Sequence, residues 1–292
     1  MPAPDDILLA IPNVSEGRDA DVVARIGAAF ASSGAQLLDV HSDADHHRSV
    51  FTLAGDTAQL VSGLVAGARA CVEHIDLRTE RGGHPHVGAL DVAPLVFLDD
   101  ARRGPACAAA LVAGQELGRV GLPVFLYGLL AGGRTRAELR VGGLGKLTER
   151  IAAGHVRPDF GPRAPDPRSG AVLVGARAPL VAFNIELAAP AGLPDARAIA
   201  ALIRETGDEG LPGVRAIGLA LRARGGVAQV STNVEDHRRV PLARLVAAVA
   251  RHAPVAGCEL VGLAPQAAFD GFPDDVPVRN RRTVEEALAA LS

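Results

Sequence analysis

The chain has 292 residues, of which 48% are hydrophobic and 22% charged, so we expect a folded protein of one large or two modest domains. A net charge of −3 gives no basic surface for nucleic acid, and three widely spaced cysteines give no disulfide framework or cysteine-rich zinc site. The N-terminal run has neither the basic start nor the length of a signal peptide or membrane span, so we expect a cytoplasmic protein.

The first half of the chain begins with the strand-like run ILLAIPNV and a helix that Asp19 or Asp21 caps. Two strands follow, AQLLDVH and RSVFTLAG, on either side of the loop SDADHH, and then the helical run TAQLVSGLVAGARACVEHI. A strand DVAPLVFLD, a helix over about 104–118 and a strand LPVFLYG complete this half. These elements predict a sheet that helices cover.

Residues 157–177, RPDFGPRAPDPRSGAVLVGAR, are rich in Pro and Gly, and we expect a long loop or linker there. The second half reads more regularly. APLVAFNIEL is a strand, LPDARAIAALIRETG is a helix with Asp195 as N-cap and Gly207 as its stop, and VRAIGLAL and VAQVSTNV form a hairpin. The helix PLARLVAAVARHA, the strand GCELVGLAP and a closing helix RTVEEALAAL follow.

The predicted order of the second half is therefore β-α-β-β-α-β, the ferredoxin-like arrangement, and the first half shows a looser version of it. We expect an α/β (α+β) protein with two ferredoxin-like βαββαβ-type subdomains, residues 1–177 and 178–292, and a ligand cleft between them.

The stretch RGGHPHVGALDV at 81–92 places two histidines around a proline. Pro85 stiffens the turn and favours an extended His84, while the neighbouring glycines allow close approach of a ligand. An imidazole held in this way could act as a general acid or base. A surface turn whose histidines only bond to the backbone explains the same pattern.

Two other groups of residues are candidates for chemistry. The stretch DVHSDADHHRSV at 39–50 gathers His41, His46 and His47 with three aspartates, which suits a divalent metal but also a solvated hairpin loop. Arg134, Arg136 and Arg140 around a Gly pair could bind the carboxylates of an acidic substrate, or form a solvated helix face. Ser15 in PNVSEGR could hold an anion at a helix start, or only cap the helix.

Ten blocks in order mark a family resemblance, from about residue 7 to residue 265. They are PNVSEGR, LLDV, RSVFTLAG, GGHPHVGALDV, LPVFLYG, RPDFGP, GAVLVGAR, VAFNIEL, AQVSTNVED and LVGLAP. The chain resembles the formiminotransferase family, the folate-dependent glutamate formimidoyltransferases. The resemblance implies two α/β subdomains, tetrahydrofolate as co-substrate, no metal, a homodimer, and transfer of a formimino or formyl group between an N-substituted glutamate-like donor and N5 of the folate.

The resemblance also implies roles for particular residues. It places the catalytic histidine on His84. The implied folate-binding loop is Gly161, Pro162, Arg163, Ala164, Pro165, Asp166, Pro167, Arg168, Ser169 and Gly170. With the candidates above, it gives the substrate-binding set Asn13, His41, His47, Arg48, His86, Arg134 and Arg140.

The chain departs from the family pattern at five positions within or beside these motifs: His41, His47, Gly83, His86 and Leu129. Two alternatives to transfer therefore stand beside it. One is a homologue that binds a folate or pterin without transferring anything. The other is a metal-dependent hydrolase that uses His41, His47, His84 and His86.

Overall fold

The computed structural model describes residues 7–79, 86–221 and 224–291. Contacts divide the chain into two compact units, residues 1–178 and 179–292. Each unit has a mixed sheet-and-helix architecture with its own hydrophobic core. The α+β class with two subdomains is confirmed.

The strands and helices of the first unit are, in chain order, β1 (Leu8–Ala10), β2 (Asn13–Val14), α1 (Ala20–Ala31), β3 (Gln36–Asp43), β4 (Arg48–Gly55), α2 (Thr57–His74), β5 (Leu90–Val96), α3 (Arg103–Arg119), β6 (Val124–Gly128), α4 (Arg136–Arg140), α5 (Gly143–Ala152) and β7 (Val172–Arg177). Those of the second unit are β8 (Val181–Leu187), α6 (Leu193–Ile203), β9 (Val214–Leu221), β10 (Val227–Val234), α7 (Leu242–Ala250), β11 (Val255–Val261), β12 (Val278–Arg279) and α8 (Val284–Ala289).

The second sheet has the strand order β12-β11-β8-β10-β9, and β8, β9, β10 and β11 pair antiparallel. Without β12, this is the ferredoxin-like order that β-α-β-β-α-β connections produce. The predicted hairpin is present as β9 and β10, whose register runs from Val214 opposite Val234 to Leu221 opposite Val227. Apolar side chains alternate along these strands and pack on α6 and α7.

The first sheet contains the same four-strand order, β5 beside β1 and β2, then β4 and β3. Two further strands, β7 and β6, extend it parallel to β5. Helices α1, α2 and α3 cover one face around the buried Phe30 and Phe51, and α4 and α5 pack on the other face around Phe125 and Leu173. The arrangement places irregular segments at the strand ends, where a site can form.

Three local predictions were wrong. The run from 172 to 177 is not part of a linker, because it forms β7 between β5 and β6. Gly192 is the N-cap of α6, and the Asp195 carboxylate accepts a 2.7 Å hydrogen bond from the Gly192 N–H instead of capping the helix itself. Helix α6 ends at Ile203, so Gly207 lies in the turn beyond its end.

Candidate functional site

Three of the predicted substrate-binding residues share one face of the first sheet. Asn13 and His41 are both register partners of Val50, one on each side of β4. Arg48 lies two residues before Val50 on that strand, opposite Asp43. Because register partners point to the same side of a sheet, Asn13, His41 and Arg48 lie on a common face.

The same face carries α4 and α5 further along the sheet. Val92 on β5 is the register partner of Asn13, and it packs with Leu139 of α4 and Leu147 of α5. The side chains from the β2–β3–β4 half of the sheet therefore approach the polar residues that α4 presents. We call this side of the sheet the α4 face.

A β-bulge brings an acid to this face. Asn13 pairs with Val92 while Val14 pairs with Leu90, so Asp91 is an extra residue in β5. A bulge turns the extra side chain away from the strict alternation of a strand and often does so beside a functional site. Asp91 is only 1% exposed. Its carboxylate accepts a 2.8 Å hydrogen bond from the Val87 N–H and pairs with the Arg140 guanidinium of α4.

The α4 face has more positive than negative charge around this carboxylate. The pKa of Arg48 is lowered to about 10, first by its withdrawal from water and then by the nearby charge of Arg140, with Arg136 adding to the effect. Asp91 and Asp43 act in the opposite direction but do not cancel it. A cluster of guanidinium groups with this excess of positive charge favours an anion.

Arg136 is fixed above an aromatic ring. Its guanidinium carbon lies 5.6 Å from the ring centroid of Tyr127 on β6, within the range of a cation–π contact. The ring lies flat on Gly175 of β7, where a Cβ would come within 2.8 Å of it. Because Gly175 has no side chain, the Tyr127 ring can pack against β7. Arg136 contacts that ring on the same face as Arg140.

His47 is bonded to the chain segment that follows β2. Its Nδ1 lies 3.0 Å from the Gly17 N–H, which can only donate, so this nitrogen is the acceptor. The Glu16 carboxylate also lies 3.4 Å from this nitrogen. In the same segment, Ser15 donates a 2.8 Å hydrogen bond to the Gly88 carbonyl.

The predicted catalytic residue His84 lies outside the described residues, but the chain that follows it is well defined. His86 is half-buried, and its carbonyl lies 3.7 Å from the position of a Cβ on Gly143, at the start of α5. Val87 is fully buried, and its carbonyl accepts a 2.8 Å hydrogen bond from the Ala171 N–H. The segment after His84 thus enters the sheet beside the α4 face.

The second half of the predicted folate loop lies against this segment. The Ala89 N–H donates a 2.9 Å hydrogen bond to the Ser169 carbonyl, and Gly88 forms a bridge with Gly170. Gly170 adopts φ +71°, and a Cβ there would lie 2.2 Å from the Val87 carbonyl oxygen. The structure therefore brings the loop's end and the flank of His84 together.

The first half of the loop lies elsewhere. Gly161 adopts φ +78°, and a Cβ there would lie 2.2 Å from the Leu122 carbonyl oxygen, beyond the C-terminal end of α3. Further along, Arg168 donates a 2.7 Å hydrogen bond to the Glu73 carbonyl at the end of α2. The loop thus passes close to the chain beyond α3 and is hydrogen-bonded to the end of α2 before it reaches the residues that follow His84.

Arg134 makes different contacts from Arg140. It donates hydrogen bonds of 2.9 and 2.7 Å to the Leu126 carbonyl on the edge strand β6 and pairs with Asp159. An open pocket of about 680 Å³ lies beside it, lined by Ala131, Gly132, Arg134, Glu138, Leu139, Arg150, His155, Val156 and Arg157. The two arginines that the sequence grouped together therefore lie in separate environments.

Within the described ranges, no group of three or more His, Cys, Asp or Glu side chains is placed to hold a metal ion. Of the histidines in the metal-site alternative, His84 falls outside those ranges. Across the same parts of the chain, no helix has both the length and the apolar character needed to cross a bilayer.

Sequence reasoning missed Asp91 and named Arg136 only as one of three candidate arginines around a Gly pair. Asp91 is the single acid in the run VGALDVAPLVF, which is a usable signal because a buried carboxylate needs partners. For Arg136 the sequence left a solvated helix face open as an alternative, since an arginine on a short polar helix is usually solvated. Only the contact of Arg136 with the Tyr127 ring shows that Arg136 lies on the α4 face.

The fold and this face define an α+β protein of two ferredoxin-like units with a cluster of arginines suited to an anion. Comparison with known proteins then gives the family: the model of the formiminotransferase domain, N-terminal subdomain, matches residues 7–177, and that of the formiminotransferase domain matches residues 182–271. The chain belongs to the formiminotransferase family, which confirms the resemblance.

Curated relatives agree with this assignment. Glutamate formimidoyltransferase of Thermoplasma acidophilum is 36% identical over 272 residues, with 89% of this chain and 88% of that protein covered. The enzyme of the same name from Streptococcus pyogenes is 35% identical and 90% covered on both sides. Formimidoyltransferase-cyclodeaminase of Gallus gallus is 38% identical, and the chain spans only 50% of its length. These relatives are transferases by name.

Proposed function

We propose that this protein transfers a formimino group from an N-formimino glutamate to N5 of tetrahydrofolate, with His84 as the general acid and base. The observation that carries the proposal is the likeness to two stand-alone glutamate formimidoyltransferases across nearly their whole length. The activity in their name is proposed here for this chain.

The charges of the α4 face support the proposal. Both substrates carry carboxylates, and Arg48, Arg136 and Arg140 supply guanidinium groups around one buried acid. In our proposal Arg48 and Arg140 bind the acidic donor, together with Asn13 and His41 on the same face. The loop Gly161–Gly170 binds the folate beside the flank of His84.

The chemistry needs one proton acceptor and one proton donor. N5 of the folate adds to the formimino carbon and must lose a proton, while the nitrogen of the departing glutamate must gain one. A single imidazole takes the first proton and delivers it to the second site, so the proton count balances. General acid–base catalysis of this kind accelerates a reaction by roughly 10²–10⁴-fold.

The test is incubation with tetrahydrofolate and a panel of formimino and formyl donors, following the absorbance of the folate product. We expect H84A to lower kcat by about 10²–10⁴-fold while its circular dichroism stays unchanged. His74→Ala, at the exposed end of α2, is the matched control and should keep its activity. Unchanged turnover in H84A would remove His84 from the mechanism.

Two other outcomes would replace the proposal. Tight binding of tetrahydrofolate with no turnover for any donor would indicate a non-transferring homologue. The five departures from the family pattern are the reason for testing this alternative. Stoichiometric metal in the purified protein, lost in H41A or H86A, would favour a hydrolase. The homodimer, the cytoplasmic location and a cleft between the units stay predictions.

A further inference from the structure

The open pocket beside Arg134 combines an apolar floor with a positively charged rim. Its volume of about 680 Å³ lies within the range of small-molecule sites. Leu139 and Val156, both buried, form the floor, and Arg134, Arg150 and Arg157 contribute guanidinium groups. Apolar surface beside such cations is the lining that a small organic anion requires.

The Arg134 guanidinium is held in place on several sides. Its Nε and Nη2 donate hydrogen bonds of 2.9 and 2.7 Å to the Leu126 carbonyl, and Nη2 also pairs with Asp159. The guanidinium carbon lies 6.0 Å from the ring centroid of Phe125. Its Nη1 donates to no residue that the structure describes. A guanidinium fixed in this way loses little conformational freedom when it binds a ligand, so the entropy cost of binding is small.

Arg150 is held by a carbonyl and keeps its other donors. Its Nη1 donates a 2.7 Å hydrogen bond to the Glu138 carbonyl, and it makes no ion pair with any described carboxylate. The Glu138 carboxylate, which also lines the pocket, accepts hydrogen bonds of 2.6 and 2.9 Å from the N–H and the hydroxyl of Thr135 at the start of α4. The acid of the lining is therefore bonded to a helix cap, and Arg150 keeps N–H groups for a ligand.

His155 and Arg157 add further donors to the same lining. The His155 N–H donates a 2.9 Å hydrogen bond to the Arg150 carbonyl, so the backbone after α5 turns back on the helix end. Among the described residues, neither the His155 ring nor the Arg157 guanidinium has a hydrogen-bond or ion-pair partner, and both side chains are exposed. Three guanidinium groups thus lie near the carboxylates of Asp159 and Glu138, both of which are already bonded. The pocket has an excess of positive charge.

We propose that this pocket is a second anion site, which binds a small organic molecule through its phosphate or carboxylate oxygens. Guanidinium groups recognise both oxyanions by the same paired hydrogen bonds, so a phosphate ester and a dicarboxylate are the two sources of that chemistry. The lining contains none of Arg48, Arg136 and Arg140, so the site is separate from the arginine cluster of the α4 face. The inference does not depend on the transfer reaction.

Titration calorimetry with inorganic phosphate and with succinate, at constant ionic strength and without folate, tests the site. We expect saturable binding of at least one probe by the wild-type protein. R150Q and R157Q should each weaken it by about tenfold, because each removes a hydrogen bond between charged groups. Binding of phosphate alone identifies a phosphate ester as the ligand class, and binding of succinate alone identifies a dicarboxylate.

Two further variants show where the probe binds. R25Q removes the same charge from an exposed position of α1, and R140Q removes it from the α4 face. Both should bind the probe at the pocket as the wild type does.

The inference is overturned if the wild type binds neither probe saturably. It is also overturned if R25Q or R140Q weakens binding as much as R150Q and R157Q do, or if R150Q and R157Q leave it unchanged. Circular dichroism of each variant checks the fold. R157Q keeps the test valid if R150Q is misfolded, because the Arg157 side chain contacts no described residue by a hydrogen bond or ion pair.

Discussion

Single residues decide the electrostatics of the α4 face. Arg48 and Arg140 lie near one buried carboxylate, and the pKa of Arg48 is lowered first by its burial and then by repulsion from Arg140, with Arg136 adding to that repulsion. A bound carboxylate relieves this repulsion and gains charge-assisted hydrogen bonds. We therefore expect substitutions of these arginines to weaken the binding of an acidic substrate.

We expect R48Q and R140Q each to raise the KM for the acidic donor by about tenfold, because a hydrogen bond to a charged group contributes about 1.5–3 kcal/mol. R134Q should raise it less, since that guanidinium lies in a separate environment beside the edge strand β6, bonded to Leu126 and Asp159. Steady-state kinetics with varied donor check this. R119Q, whose arginine pairs with Glu116 on the exposed side of α3, is the control. An unchanged KM in both R48Q and R140Q would contradict the assignment.

Asp43 makes a residue-scale prediction about acid stability. Burial acts to raise its pKa, but hydrogen bonds from the His46 ring and backbone outweigh burial and lower the pKa to about 2. A depressed folded-state pKa stabilises the protein above the ordinary value of 3.8 and ceases to do so as the pH falls through about 2. D43N should thus cost about 1–2 kcal/mol at pH 7 and almost nothing at pH 2.

Urea unfolding of D43N and wild type at both pH values measures this difference. Asp208→Asn, at an exposed position of the second unit, is the control and should cost little at either pH. An equal cost of D43N at pH 7 and pH 2 would show that the Asp43 charge does not contribute.

At the scale of elements, two helices of the first unit approach closely through glycine. Gly63 and Gly67 lie one turn apart on α2, facing α1. A Cβ on Gly67 would lie 2.1 Å from the Phe30 ring, and one on Gly63 would lie 2.5 Å from the Phe30 carbonyl oxygen. Phe30 is itself fully buried against Phe51, so it has little room to move.

We therefore expect G67A to lower the free energy of unfolding by about 1–3 kcal/mol, as overpacking does. G104A, in the first turn of α3, is the matched control because a Cβ there meets no atom within 4 Å. It should be neutral or stabilising by up to about 1 kcal/mol. Denaturant unfolding measures both. Equal stability of G67A and wild type would mean that α1 and α2 separate without cost.

Elements with a clear helical or alternating pattern of apolar residues were predicted correctly from the sequence. An element without such a local pattern, the strand β7, was not. Helix α2 and the hairpin β9–β10 follow from helical periodicity and from alternation around a Gly pair. For the strand β7 the sequence predicts a linker instead, because a Pro- and Gly-rich stretch precedes it. Its position between β5 and β6 depends on pairing with residues about 50 to 80 positions earlier, which no local pattern reports.

At the scale of the whole molecule, each unit has a hydrophobic core made only of its own residues. The core of the second unit runs from Val181 to Phe269, with Val276 and Val278 packed at its border. A domain needs such a core to fold alone, and its length of about 100 residues is typical. Among the described residues, the strands of this sheet, β8 to β12, all belong to the second unit.

We predict that a fragment of residues 179–292 folds by itself. Circular dichroism should show the mixed secondary structure of the full chain's second unit, and denaturant should unfold the fragment in one cooperative transition. A destabilised core variant of the fragment, Phe183→Ala, should lose about 3–5 kcal/mol and serves as the control for specific packing. A fragment with no cooperative transition would show that the second unit depends on the first.

The sequence by itself determined the class, the two ferredoxin-like halves and the family, because alternation, helical periodicity and ordered motifs are written into neighbouring residues. It also placed Asn13, His41 and Arg48 in a common binding set; the three lie on one face of the sheet, and their role in binding stays a prediction. Only the tertiary structure decided that Asp91 bulges toward Val87, that Arg140 meets it, and that Arg134 does not. Those contacts join residues far apart in the chain, and their geometry is set by sheet register and packing, which no local pattern encodes.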